Sequence, residues 1–115
     1  MRVSGNTGDA AAARLAATVT SYALGVEADD VLGDGRGSAG AAFARQVAMY
    51  LCHVAFEFSL ARVAQAFQRD RSTVAHACHV IEDRRDEPAF EDWINALEAM
   101  LREAPASIRR QGSGQ

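Results

Sequence analysis

The 115-residue sequence predicts an all-α domain of about five main helices built around a helix-turn-helix, and three observations carry that prediction. Apolar side chains recur at spacings of three and four along most of the chain, the period of an amphipathic helix. Hydrophobic residues make up 49 % of the sequence, many of them alanine, and only two prolines interrupt it. Between Ser59 and Glu82, two short helical patterns are separated by the polar break Gln68-Arg69-Asp70. A chain of this length supports one domain with one modest core.

Taken in order, Gly5 and Gly8 mark residues 1–9 as a flexible start, and the domain proper runs over residues 10–104. Leu15, Val19, Tyr22, Ala23 and Val26 form the inward stripe of a first helix that ends near Gly25. Glu27 to Leu32 add one helical turn, and the glycine-rich Gly33 to Ser38 reads as a loop. The longest helix spans about Ala39 to Phe56, with Phe43, Val47, Leu51, Val54 and Ala55 inward, Arg45 on the opposite side and Gln46 on its flank. Behind the N-cap residue Ser59, Leu60, Val63, Ala64 and Phe67 share one face of the next helix. After the break, Asp70 is placed to cap a helix whose buried stripe is Val74, Ala77, Cys78 and Ile81. Pro88 suits the first position of a closing helix carrying Phe90, Trp93, Ile94, Leu97, Met100 and Leu101. Residues 105–115, ending Gly112-Ser113-Gly114-Gln115, read as a flexible tail.

The second helix of the central pair carries the functional signal. Ser72, His76 and His79 lie opposite its buried stripe, Thr73 lies on the flank, and Arg71 offers a planar fork suited to guanine or phosphate. Short donors and acceptors in the first turns are what a recognition helix brings to base edges, although helix pairs with short turns also occur as plain scaffold. A formal net charge of −3 opposes a nucleic-acid partner, but the distribution is uneven. From residue 36 to 85 there are seven arginines (36, 45, 62, 69, 71, 84 and 85) against four acids (57, 70, 82 and 83), while both flanks are acidic. The chain has no lysine, so any phosphate clamp is arginine, and sequence-independent affinity should be weak with a shallow salt slope.

Ser59-Leu60, Phe67, Arg69 to Val74, His76-Ala77-Cys78 and Ile81-Glu82 resemble the signature of the C-terminal DNA-binding domain (domain IV, TrpR-like) of the bacterial replication initiator DnaA. Upstream, Ala44 to Leu51 is similar to that family's Pro-Arg-Gln-(Ile/Met)-Ala-Met-Tyr-Leu run. The resemblance covers about residues 10–103. It implies that Arg45 and Gln46 contact the DNA backbone and neighbouring bases. It also implies that Asp70, Arg71, Ser72, Thr73 and His76 occupy the positions that read the major groove of a DnaA box. Asp70 then either accepts from a cytosine amine or serves only as a cap, and Arg62 and Arg69 are phosphate partners or solvated charges rather than base readers.

Three departures qualify the transfer. The family's basic loop is reduced to Arg36 among glycines; its Gly-Gly-Arg-Asp turn is one residue shorter here; and the histidine after that turn is Arg71. No GxxxxGK[ST] loop can exist without lysine, so ATP-driven assembly is not expected of this chain, nor is any enzymatic activity. Cys52-His53 and His76-x-Cys78-His79 contain metal-ligand residue types, but Cys78 lies on the buried stripe and the CxxC pairs of a structural zinc site are missing, so no metal or cofactor is expected. Two cysteines without a CxxC fit a reducing compartment, and no signal peptide or long apolar run appears, which together imply a cytoplasmic protein, and the resemblance implies that it is nucleoid-associated. Two functions remain open. One is a sequence-specific duplex-DNA binder at DnaA-box-like sites, regulating replication initiation or transcription. The other is an interaction module that contacts the initiator or other initiation proteins and has lost most DNA affinity.

Overall fold

The computed structural model describes residues 3–33 and 39–104. The expectations for Asp34 to Ser38, including Arg36, and for the tail 105–115 lie outside the described residues. Six helices follow in order: α1 (Val3–Leu24), α2 (Ala28–Leu32), α3 (Ala39–Ala55), α4 (Leu60–Phe67), α5 (Arg71–Arg84) and α6 (Pro88–Arg102). The five long ones and the single turn at α2 match the sequence reading, and among the described residues there is no strand.

Helix α3 is the axis of the domain, packing against α1, α2, α4, α5 and α6. Its sequence explains why: Ala44, Val47, Ala48, Met49, Tyr50, Leu51 and Cys52 are all buried, so apolar side chains point around most of its circumference. Val54 and Phe43, expected inward, are only half-buried at its margins. Val63, Val74, Ile81, Ile94 and Leu101 complete the core from the surrounding helices.

The inward face of α1 differs from the one predicted. Ala12, Ala13, Ala16, Ala17 and Thr20 are sealed, Leu15 and Val19 sit at the edge, Ala23 is exposed and Tyr22 is 89 % exposed. Weighting large apolar residues selected the wrong side, because α1 lies against α3 and α4 together and close approach favours small side chains. The hydroxyls of Thr20 and Ser21 are buried there without a hydrogen-bond partner. Helix α1 also begins at Val3, ahead of the boundary that the glycines suggested. It ends as predicted at Gly25, whose φ of 72° lets its N–H and that of Val26 return to the Ser21 carbonyl.

Pro88 opens α6 as predicted, and Phe90, Ile94, Leu97 and Leu101 are buried, whereas Met100 is 55 % exposed on the far side of the helix. The junction of α3, α5 and α6 is polar. The Tyr50 hydroxyl donates to Glu82 (2.5 Å) and accepts from Arg85 (2.9 Å). Arg85 also donates to Glu91 (2.6 Å) and to Asn95, and lies 3.6 Å from Glu98, which in turn holds Arg102 (2.5 Å). Arg102 reaches the Val54 carbonyl at 3.0 Å. Beside this network the Arg84 guanidinium lies 4.7 Å from the centre of the Phe90 ring and 5.0 Å from that of Phe43. The end of α5 is therefore a joint: Glu82, Arg84 and Arg85 fasten it to α3 and α6.

Candidate nucleic-acid interface

The outward surface of α4 and α5 is set by how each helix begins and ends. Ser59 caps α4, its Oγ accepting from the Arg62 N–H at 3.1 Å, and Val63, Ala64 and Phe67 face the core. Helix α4 ends at Gln68, which takes a left-handed conformation (φ 57°, ψ 48°) so that its N–H reaches the Gln65 carbonyl and the Arg69 N–H reaches that of Ala64. This position favours glycine, and a side chain there costs roughly 1 kcal/mol.

Asp70 holds the N-cap position of α5, its carbonyl accepting from Thr73 and Val74. Its carboxylate makes no capping bond and is exposed, so the cap predicted from its side chain is absent although the boundary is right. Val74, Ala77 and Ile81 anchor α5 on α3 and α4, and Cys78 is half rather than fully buried. Arg71, Ser72, Thr73, Ala75, His76 and His79 are exposed. At about 100° per residue, Ser72, His76 and His79 lie on the outward ridge, with Arg71 and Thr73 on either flank of Ser72. His79 lies 3.7 Å from Asp83 one turn on, a contact that matters only when the imidazole is protonated.

The remaining arginines are placed differently from a row of free phosphate clamps. Arg45, on α3, donates to the carbonyls of Val31 (2.8 Å) and Asp30 (3.1 Å), and Arg69, in the turn, donates to that of Gly33 (2.8 Å). Both cations thus sit on the C-terminal carbonyls of α2, where the helix dipole favours positive charge. Through these bonds α2 and the start of the glycine-rich segment are held beside the turn that launches α5. Arg62 faces elsewhere: it pairs with Asp9 of α1 (2.9 Å) and lies 4.2 Å from the centre of the Phe58 ring. Gln46 is half-buried. Of the sequence-predicted set, then, Asp70, Arg71, Ser72, Thr73 and His76 form one exposed surface. Arg45 and Arg69 border it as structural partners of α2, and Arg62 is engaged with α1.

Three groups that position this surface were not legible in the sequence. Tyr50, Glu82 and Arg85 lie up to 35 residues apart and leave no periodic trace. Burial, with help from the bond to Glu82, pushes the Tyr50 hydroxyl up to about 12, so it stays a proton donor throughout the neutral range. The Glu91 carboxyl is held below its ordinary value chiefly by the hydrogen bond from Arg85. Burial pushes both thiols up: Cys52 is sealed, and Cys78 rises to about 11. The His53 ring nitrogen Nδ1 lies 2.7 Å from the Phe58 carbonyl, closing the α3–α4 connection. Among the described residues no three His, Cys, Asp or Glu side chains come together as a metal site, and no helix is long and apolar enough to cross a membrane.

A family model described as the bacterial DnaA protein helix-turn-helix matches residues 14–81. The chromosomal replication initiator protein DnaA of Lachnoclostridium phytofermentans is 33 % identical over 89 residues, covering 76 % of this chain and 19 % of that protein. The same protein of Bifidobacterium animalis is 35 % identical over 77 residues, covering 65 % of this chain and 13 % of the relative. The chain thus spans about a fifth or less of the length of these relatives. Among solved structures, the crystal structure of a DNA replication initiation factor superposes with a TM-score of 0.74 at 28 % identity, over 84 % of this chain and 30 % of that one. A replication initiator DnaA bound to AMPPCP and single-stranded DNA gives 0.71 at 27 % identity, over 84 % and 29 %.

Proposed function

The chain belongs to the bacterial DnaA helix-turn-helix family, and from that premise we propose that it binds duplex DNA sequence-specifically at DnaA-box-like sites, with α5 in the major groove. In doing so it regulates replication initiation or transcription without ATPase chemistry. The observation that carries the proposal is the division of α5. Val74, Ala77 and Ile81 fix one face in the core, while Arg71, Ser72, Thr73 and His76 stand exposed on its first turns, beside a carboxylate that makes no cap bond. Ser72 and Thr73 are short enough to meet a phosphate or a thymine methyl, and the Asp70 carboxylate is available to a cytosine amine. Arg45 and Arg69 lie at the border of this surface, where Arg69, bonded through one guanidinium nitrogen to Gly33, can meet the backbone, while Arg45 holds α2 in place beside it. Arg62, paired with Asp9, contributes little.

A titration of labelled duplexes with and without a DnaA box, at two salt concentrations, tests this. The box should bind preferentially, with a shallow salt dependence because most arginines are already partnered within the fold. Thr73→Ala and His76→Ala should each lower the preference by about 1–3 kcal/mol where they make good base contacts. Failure of the folded chain to bind either duplex at low salt would overturn the proposal. That result would favour the second reading, a module that contacts the initiator or other initiation proteins. The observation on its side is the engagement of Arg62, Arg84 and Arg85 with Asp9, aromatic rings and carboxylates, which competes with any use of them as phosphate clamps.

A further inference from the structure

Resting on the DNA-binding reading, we propose that Arg71 reads a guanine, so that the preferred site of this chain carries one obligatory guanine facing the first turn of α5. Arg71 is exposed, and among the described residues it is the only arginine whose guanidinium has no ion pair, carbonyl or aromatic ring to hold it. Every other described arginine is committed: to α2 carbonyls, as in Arg45 and Arg69, to carboxylates, as in Arg14, Arg62, Arg85 and Arg102, or to aromatic rings, as in Arg84. Arg71 therefore reaches a ligand without breaking an internal contact.

Two features favour a base edge over a phosphate as that ligand. The Asp70 carboxylate stands one residue away, exposed and without a capping bond, so an anion drawn to Arg71 would sit beside an uncompensated negative charge. A neutral guanine edge avoids that repulsion while still offering the O6 and N7 acceptors that match two parallel N–H donors. The other exposed polar side chains around Ser72 are short hydroxyls and imidazoles. Helix α5 contains no Asn or Gln to pair bidentately with adenine, so Arg71 is the one two-pronged reader on this face.

The test is selection of the full chain on randomised duplexes, followed by titration of the selected sequence and its single-base variants. The wild type should fix one guanine, and replacing it by any other base should cost about 10- to 100-fold in affinity. Replacing it by 7-deazaguanine, which lacks only the N7 acceptor, should also weaken the wild type but leave Arg71→Ala unaffected. Arg71→Lys should keep charge and salt slope but lose most of the discrimination. Because Arg71 makes no contact within the fold, an unchanged thermal melt confirms that these variants are folded. Selected sites without a fixed guanine overturn the proposal. So does an Arg71→Ala variant that weakens all duplexes alike with a reduced salt slope, since that identifies a phosphate partner. A wild type that selects no duplex at all overturns the DNA-binding reading itself, whereas specific binding untouched by Arg71→Ala overturns the guanine assignment alone.

Discussion

Replacing Arg85 by methionine keeps an unbranched apolar stem where α5 meets α6 but removes the charge that joins three helices. The wild-type side chain is 18 % exposed, and its guanidinium serves Tyr50, Glu91, Asn95 and Glu98. Summing four charged hydrogen bonds would overstate the loss, because the partners differ in what they keep. Tyr50 retains Glu82, Glu98 retains Arg102, and Glu91, whose side chain is 39 % exposed, regains water. What remains is the loss of the tightest pair, at 2.6 Å, and a half-compensated Glu98 with only 17 % exposure. A destabilisation of about 2–3 kcal/mol follows, below the range for a fully buried pair.

The same pair makes a pH prediction. Because Arg85 holds the Glu91 carboxyl below its ordinary value, the stabilisation is complete above the unfolded carboxylate value of about 4.3 and is lost as pH falls through the folded value. Urea titrations of wild type and Arg85→Met should therefore differ most at neutral pH, and the difference should narrow as pH falls below the unfolded carboxylate value of about 4.3. A gap that stays constant from pH 7 to pH 3, or a loss under about 0.5 kcal/mol at pH 7, would refute the role assigned to this joint.

Four further outcomes follow from the same geometry. Gln68→Gly should stabilise the domain by up to about 1 kcal/mol in urea denaturation, since it removes a side chain from a left-handed position at φ 57°. Ser59→Ala should cost about 1 kcal/mol by the same measurement because a real cap bond is lost, while Asp70→Ala should cost clearly less because its carboxylate caps nothing. Thr20→Val, at a sealed hydroxyl without a partner, should raise the melting temperature rather than lower it. Raised to about 12, the Tyr50 hydroxyl contributes stability that is intact below pH 10 and lost as pH rises toward 12; Tyr50→Phe should be less stable at pH 7 and should flatten that alkaline decline, measured by thermal melts across pH 9–12.

What could be read in advance follows from the range of the physics involved. The helix spans after α1, the Gly25 stop, the Ser59 cap and the Pro88 start depend on residues a few positions apart, and they stand as predicted. The exposed set Arg71, Ser72, Thr73 and His76 was equally legible, because one buried stripe on α5 fixes the opposite face. The errors arose where a distant partner decides. Small residues on α1 are buried because two helices converge on them, a fact that Leu15 and Tyr22 cannot report. Arg62 reads as a surface charge until Asp9, 53 positions earlier, is placed beside it. Arg45 reads as solvent-facing until the last carbonyls of α2 arrive beneath it.

Those long-range partnerships bear on how such a surface would discriminate between sequences. In a chain without lysine, each arginine drawn into an internal bond is one fewer to attract DNA regardless of sequence. The polar groups left exposed on α5 from Arg71 to His79 are short hydroxyls, imidazoles and a single unpaired guanidinium, which lose their value when the wrong base faces them. Specificity depends on the ratio of right-site to wrong-site affinity, in which a sequence-independent term common to both cancels, so losing that term lowers total affinity and leaves the ratio to the base-reading groups. The measurement that separates this design from simple decay of binding is the salt slope beside the base preference. A shallow slope with sharp discrimination marks arginines redeployed to hold a reading head, whereas a shallow slope with no discrimination marks a reading head that no longer reads.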